Sequence, residues 1–519
     1  MLKHIYKWHR KLSLIIAIPV LLWALSGILH PLMTTIRPAL TTQQYRAPAI
    51  DTAQIKISLQ QCLLQNDIDS FVNVHIVHIA GQQYYQVAVN RDKELKYFST
   101  LNGMQLNNGN QLYARYLAKI FLEGEEQTHY ALPATDESFD CCANTTMRVL
   151  TEKGARVTSV KIINDFSGEY KEINRLLPVY KVLFARKDGI RVYVKTEGSR
   201  FAYAVDNKRA FFDKVFGWLH TWSWMDGLGR FKYLVMVIIT LLAFVTSGMG
   251  VYIFFKTKAK KSDKRIVKAR RNHRYTALIA SLFSLMFTFS GGYHALSDLL
   301  QEKEKDTPPV AVLPARAIAP DFNKLSKLAG APIQQLSVCR IGHKNYWQLL
   351  LDTPSATGPA DLMKARQVAP PELIYVDASD YTVLSNGENR YAKYLAAWYS
   401  KKDTAGVRDI KLVTQFNAEY GFINKRLPVW RVTYGGGNEK YFVETTSGSL
   451  ALHLTNGKKA EGYSFAFLHK HYFMDWAGKT VKDGSTILAA GLQVLMIVFG
   501  CILYIISGKR KRNHSKANV

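Results

Sequence analysis

The stretch HRKLSLIIAIPVLLWALSGILHPL, from His9 to Leu32, recurs without gaps as HRYTALIASLFSLMFTFSGGYHAL, from His273 to Leu296. The alignment pairs His9 with His273, Arg10 with Arg274, Ser26-Gly27 with Ser290-Gly291, and His30 with His294. Each copy is apolar over the roughly 20 residues that a hydrocarbon core of about 30 Å demands. Polar residues kept at the same places in two such runs point to a task, because polar groups inside a membrane helix are costly.

Two further blocks recur in the same order. FSGEYKEINRLLPVYKV from Phe166 matches FNAEYGFINKRLPVWRV from Phe416, and FGWLHTWSWMD from Phe216 matches FAFLHKHYFMD from Phe465, which pairs His220 with His469. The chain therefore reads as a tandem duplication, each half running helix, outer domain, amphipathic histidine segment, helix. Four apolar runs are long enough to span: Leu12 to Thr35, Tyr233 to Phe255, Tyr275 to Leu296 and Ser485 to Ile506. The first resembles a signal peptide in its KWHRK flank. Its twin lies in mid-chain, where no signal peptide can be, so the first run is read as a retained helix.

The fold class expected is a membrane α-helical bundle of four transmembrane helices with two outer α+β domains. The boundaries fall at 1–36 for the N-terminus and first helix, 37–212 for the first outer domain, 213–256 for the first histidine segment and second helix, and 257–272 for a basic loop. The third helix takes 273–299, the second outer domain 300–462, the second histidine segment and fourth helix 463–507, and a basic tail 508–519. Within the outer domains Leu112 to Phe121 and Tyr391 to Trp398 have helical periodicity. Tyr84 to Val89, Val179 to Phe184, Arg191 to Lys195 and Val429 to Tyr434 have the β-branched and aromatic content of strands. Gly435 to Gly437 reads as a hairpin turn and Asp306 to Pro314 as a Pro-rich exit from the third span. Thr128 to Arg148, with Cys141-Cys142, has no counterpart in the second half.

The net charge of +28 invites a nucleic-acid partner, but the basic residues sit beside the spans. The loop Lys256 to Arg274 carries ten Lys or Arg against the single acid Asp263, and the tail carries Lys509 to Arg512. The positive-inside rule puts both, and the N-terminus, in the cytoplasm, so the partner implied is a lipid bilayer and not nucleic acid. The outer domains then face the periplasm or cell exterior of a bacterial inner-membrane protein. Cys62, Cys141, Cys142 and Cys339 fall in the outer segments, where one disulfide is feasible, and no CxxCH is present for covalent haem. HExxH, P-loop, GxGxxG and GxSxG signatures are lacking from working contexts.

His9 and His30 are 21 residues apart, about 31 Å along a helix at roughly 1.5 Å per residue, and about 60° apart around it. His273 and His294 repeat that placement. If the first and third helices face each other, one pair meets near each membrane face. Two neutral imidazoles from facing helices are what a six-coordinate b-type haem needs. Gly27 and Gly291, one turn before the outer histidines, leave room for a flat macrocycle. Arg10 and Arg274 are candidates for haem propionates or, more simply, headgroup anchors. His220 and His469, on aromatic interfacial segments, are alternative outer ligands or acceptor-site residues. Singly, each histidine also reads as a polar group at a helix end; it is the fourfold repetition that points to two haems. The recurring Glu169-Tyr170 and Glu419-Tyr420 read as a fold signature.

These motifs, His-Arg opening two spans, Leu-His before the other two and LPV in each outer domain, resemble the PepSY-associated transmembrane family over nearly the whole chain. The SGxxxH form of the first and third spans resembles its iron-regulated, ferrisiderophore-reductase-type branch. That resemblance implies outer PepSY domains and a di-haem b oxidoreductase delivering electrons to ferric iron or a ferric siderophore. With no flavin or nicotinamide motif, the donor expected is membrane quinol, a soluble reductant or a partner protein. Two other readings are a non-enzymatic PepSY membrane protein that senses or regulates periplasmic partners, and a metal transporter.

Overall fold

The computed structural model describes residues 1–90, 95–124, 154–259, 262, 264–301, 307–310, 312–316, 320–352, 370–417, 419–421, 424 and 426–516. Its helices are α1 (Leu2–Thr35), α2 (Leu59–Gln65), α3 (Gly109–Glu123), α4 (Asn207–His220), α5 (Arg230–Lys256), α6 (Arg265–Leu300), α7 (Phe322–Ala329), α8 (Gly387–Ser400), α9 (Asn456–Ser464) and α10 (Gly478–Lys516). The chain divides into two units. Met1–Arg37, Lys208–Glu304 and Asn456–Val519 form one, and Pro38–Asn207 with Lys305–Thr455 form the other.

In the first unit α1, α5, α6 and α10 are long and apolar enough to cross a membrane. Both α1 and α6 pack on α5 and on α10, so the two histidine helices occupy opposite corners of a four-helix ring. Large side chains such as Ile18, Leu241, Leu282 and Leu488 face outward, while Ser26, Ala243, Ala280, Ser284, Ser290 and Ala489 are buried between helices. That inversion is the physics of a bundle in lipid: apolar side chains gain nothing by leaving hydrocarbon tails, and small residues let backbones approach. The hydroxyls still need partners, and Ser247 and Ser284 find each other across α5 and α6 at 2.9 Å.

The second unit is α+β. Its first half holds β1 (Ser70–Phe71), β2 (Asn73–Ile79), β3 (Gln82–Ala88), β4 (Lys96–Ser99), β5 (Val157–Ile163), β6 (Val179–Phe184), β7 (Arg191–Lys195) and β8 (Arg200–Val205). Its second holds β9 (Leu313–Pro314), β10 (Ile333–Ile341), β11 (Lys344–Leu351), β12 (Leu373–Asp377), β13 (Val407–Val413), β14 (Val429–Tyr434), β15 (Glu439–Glu444) and β16 (Ser449–Thr455). Each half builds a three-stranded and a four-stranded antiparallel sheet, β2-β3-β4 with β5-β6-β7-β8 and β10-β11-β12 with β13-β14-β15-β16. In the first, α3 packs on both sheets; in the second, α8 does.

The halves share one core, in which Phe71, Tyr85 and Phe98 meet Trp347, Leu349 and Val376. Polar contacts seal it. Leu336 O lies 3.0 Å from His75 Nδ1, and Arg200 reaches Glu444 at 2.7 Å.

Strands β6, β7 and β14 have the bounds expected from composition. The Glu-Tyr pairs do structural work. Tyr170 Oη donates to Leu176 O at 2.7 Å and Tyr420 Oη to Arg426 O at 2.8 Å, while Glu169 takes Lys181 and Arg191, and Glu419 takes Lys440. The segment read as a Pro-rich exit ends differently: Leu313–Pro314 is a short strand paired with β1, because Leu313 is an apolar side chain that inserts fully into the shared core. Cys62 and Cys339 are buried free thiols in separate core clusters. The insertion containing Cys141-Cys142 lies outside the described residues.

Candidate functional site

The histidines of the membrane unit gather at its two ends. At one, His9 on α1 lies against α5, its Nδ1 3.1 Å from Thr246 O. A carbonyl can only accept, so Nδ1 carries the proton and Nε2 keeps a free lone pair. His273 on α6 takes the matched place on α10. Its Nδ1 faces the Met496 carbonyl without closing a bond. A side chain at Gly250 would begin 3.3 Å from His9 Cε1, and one at Gly500 would begin 3.3 Å from His273 Cε1. Each imidazole therefore occupies space that glycine leaves.

At the other end α4 and the turn Phe465–His469 bring in His220 and His469, whose ring centroids are 5.9 Å apart at an interplanar angle of 81°. Each is backed by the serine of an SG pair. Ser26 Oγ lies 2.8 Å from His220 Nδ1, and Ser290 Oγ lies 3.2 Å from His469 Nδ1. Both hydroxyl protons are already committed to helix carbonyls, Ser26 to Trp23 O and Ser290 to Phe287 O. With each hydroxyl donating to its carbonyl, the imidazole donates from Nδ1 to the serine oxygen, the tautomer that leaves Nε2 with its lone pair. Phe216 stacks on His220 and Phe465 on His469, both at 4.7 Å, one helical turn earlier in sequence.

Burial, with the nearby Lys470 charge, pushes His220 down to about 4. Burial followed by the neighbouring His220 and Lys470 holds His469 well below its ordinary value. Both are neutral at pH 7, the state that can ligate a metal.

His30 and His294 flank this pair and have opposite partners. Lys470 Nζ donates to His30 Nε2 at 3.2 Å, which occupies that lone pair. His294 Nδ1 lies 2.7 Å from Glu461 Oε1, and its Nε2 is 4.0 Å from Asp298. Two residues past each central histidine the chain enters the left-handed region, at Trp222 (φ 49°) and His471 (φ 51°). Bulky residues rarely pay this strain without support. Here it turns both rings into the unit, where Trp222 stacks on Trp23 at 5.1 Å and His471 on Phe287 at 5.4 Å.

The structure thus brings His220 and His469 together, seats His9 and His273 in matched places on α5 and α10, and places His30 and His294 in separate polar contacts. Gly291 faces His469 Cε1, whereas a side chain at Gly27 would meet Ala490 on α10. Arg274 donates to Phe254 O and Thr257 O, closing the C-terminus of α5, and Arg10 is exposed. Sequence reasoning missed Phe216, Phe465, Gly250, Gly500, Lys470 and the role of the two serines. The phenylalanines were visible as matched FxxxH in the third block, and the glycines recur in the second and fourth spans.

The residues fit a haem in their donor chemistry. His220 and His469, brought together with ring centroids 5.9 Å apart, would supply the two imidazole nitrogens that a b-type haem iron takes. Among the described residues no three His, Cys, Asp or Glu converge as a cage for a bare ion. The family model described as PepSY-associated TM region matches residues 6–335. None of the curated proteins matches the chain.

Proposed function

The chain belongs to the PepSY-associated TM region family and is a multi-pass membrane protein, and on that premise we propose a di-haem b reductase of the bacterial inner membrane. It passes electrons to a periplasmic acceptor, ferric iron or a ferric siderophore. The observation that carries this reading is the placing of imidazoles at both ends of one four-helix unit, His220 beside His469 at one and His9 and His273 in matched places at the other, with Nδ1 held by a carbonyl or serine oxygen at His9, His220 and His469.

Haem b, when bound, supplies one-electron chemistry between ferric and ferrous iron. His220 and His469 would hold it at the outer end, and His9 and His273 at the inner end. Ser26 and Ser290 fix the tautomer of the outer ligands, as hydrogen-bonded supports of metal ligands generally do. Gly250 and Gly500 make room for the inner rings. His30 and His294 are then contacts around the outer site and not its ligands. The basic loop and tail favour a cytoplasmic His9 end by the positive-inside rule, and a tandem duplication would account for two ends with one design. Membrane quinol, a soluble reductant or a partner protein is the donor class this arrangement accepts.

Detergent-purified protein is expected to show a Soret band and a dithionite-reduced α-band, with two haem b per chain by pyridine haemochrome. Colourless protein after expression with ample haem supply overturns the proposal and favours a sensing or regulatory role.

A further inference from the structure

The two halves of the extramembrane unit hold one buried glutamine in the same way and finish it differently. In the second half Gln348 Nε2 donates to Tyr375 Oη at 2.8 Å and to Thr445 O at 3.0 Å, and Ser337 Oγ donates to Gln348 Oε1 at 2.9 Å. Both ends of that amide are used. In the first half Gln86 Nε2 donates to Tyr97 Oη at 2.6 Å and to Thr196 O at 3.2 Å. A carbonyl only accepts, so Thr196 fixes which end of the amide is nitrogen. Gln86, 1% exposed, then keeps Oε1 without a partner among the described residues.

The strand register explains the gap. Pairing of β2 with β3 sets His75 opposite Gln86, where pairing of β10 with β11 sets Ser337 opposite Gln348. His75 does not stand in for the serine: its Nδ1 donates to Leu336 O at 3.0 Å and its Nε2 accepts from Asn73 Nδ2 at 3.2 Å. Burial holds that ring below its ordinary pKa and so neutral at pH 7.

Gln86 lines a partly enclosed cavity of about 70 Å³ together with His75, Val77, Tyr113, Ser199 and Leu350. Tyr113 Oη and Ser199 Oγ lie 2.6 Å apart. Two hydroxyls carry two protons and one serves their mutual bond, so one remains to donate. Ser199 holds this place at φ 55°, in the left-handed region, where the matched turn has Gly448 at φ 67°. A residue other than glycine is strained there. In the second half a side chain at Gly448 would begin 2.8 Å from Tyr391 Oη. The first half thus keeps a hydroxyl where the second has room for none. Among the described residues no charged side chain lines the cavity, so an ion would lose its water there without a counter-charge.

An unmet acceptor and a hydroxyl donor, between apolar walls from Val77 and Leu350, suit a neutral group of about four heavy atoms that both donates and accepts. A carboxamide carries both functions on one planar head. We propose that this cavity binds a small neutral carboxamide, whose N–H meets Gln86 Oε1 and whose carbonyl accepts from the Tyr113 and Ser199 hydroxyls. The site is independent of the haem reading.

The test titrates acetamide, acetone and acetate into the full-length protein in detergent and follows each probe by saturation-transfer NMR, with empty micelles as the blank. Acetone keeps the carbonyl and the size but lacks the N–H, and acetate brings a charge. Acetamide is expected to saturate with a millimolar Kd, the range open to so small a ligand. Acetone should bind about tenfold more weakly, the scale of leaving one buried acceptor unmet, and acetate should give no saturable signal. His75→Ser, the residue of the second half, brings a hydroxyl to Gln86 Oε1 and is expected to weaken acetamide by a similar factor. Acetamide indistinguishable from the blank leaves the cavity to water and overturns the site. So do equal affinities for acetamide and acetone, saturable binding of acetate, or parent affinity for acetamide in His75→Ser. Should that variant fail to fold, the three probes on the parent protein still decide.

Discussion

The two halves of the membrane unit agree on how an imidazole is held and disagree on what surrounds it. Each stacks a phenylalanine at 4.7 Å on its central histidine, backs that histidine with a serine, and follows it with a left-handed residue whose ring lies on a helix aromatic. Yet Thr221 corresponds to Lys470, Trp222 to His471 and Trp23 to Phe287. His30 meets a cation where His294 meets an anion. Orientation of the central ring is the shared constraint; polarity around it is where the halves specialise.

The comparison is broken most directly at the rings themselves. His220→Ala and His469→Ala are each expected to remove about one of two haem equivalents, since the iron would lose an axial nitrogen. His30→Ala and His294→Ala are expected to retain both. Pyridine haemochrome content of the four variants decides, and the reverse pattern would return ligation to the flanking pair.

The repeats and spans were readable because both are periodic properties of the chain. A helix that must cross about 30 Å of hydrocarbon announces its length, and matched strands such as β6 and β14 keep their alternating apolar content. Which histidines meet was not readable. His30 and His220 are separated by an entire outer domain, and both lie near a helix end at the same level. Only the tertiary fold shows that Ser26 stands between Trp23 O and His220 Nδ1, at 2.8 Å from each. Lys470 was hidden for the same reason, as its contact with His30 is a property of packing. The strand at Leu313–Pro314 escaped notice because two residues carry no periodicity.

In the extramembrane unit the same contrast of halves has a stability consequence. Where the first half pairs Lys195 with Arg200 across β7 and β8, the second pairs Glu444 with Ser449 across β15 and β16. The excess cation of one then meets the anion of the other, Arg200 to Glu444 at 2.7 Å, with Glu444 only 3% exposed and Arg426 at 4.0 Å. Burial opposes ionisation of Glu444, but Arg200 and Arg426 outweigh it and hold its carboxyl below the ordinary value. Glu444→Gln should cost about 3 kcal/mol, the scale of removing one partner from a buried pair, measured as thermal or urea unfolding of the full chain at pH 7. Because the folded value is depressed, the ion pair contributes fully above the unfolded carboxyl value, about 4.3, and is lost as pH falls through the folded one. The gap between parent and variant should therefore close in acid. A gap that persists there would assign the loss to packing instead of charge.

The serines sharpen the comparison at smaller scale. Ser26→Ala and Ser290→Ala remove the acceptor for Nδ1–H but leave the imidazole in place. Each is expected to weaken outer-haem retention by about tenfold, the low end for supports of this kind, read as the rate of haem transfer to apomyoglobin. The longer contact at Ser290, 3.2 Å against 2.8 Å at Ser26, predicts the smaller loss there. Equal and negligible losses would mean that the stacked phenylalanines alone orient the rings.

The smallest effect is expected where the halves differ most in chemistry. His471 is fully buried, shares one hydrogen bond with Ser485 at 2.8 Å and leaves Nε2 without a partner. Its counterpart Trp222 likewise buries an unpartnered ring nitrogen. His471→Phe keeps the stack on Phe287 and loses a neutral hydrogen bond worth about 1 kcal/mol, but it also removes an unsatisfied buried nitrogen that costs about as much. The two terms nearly cancel, so the thermal midpoint should move by no more than a few degrees, with haem content unchanged. Loss of haem in that variant would show that His471 acts beyond the stacking role it shares with Trp222, and that the second half supplies an imidazole the first cannot.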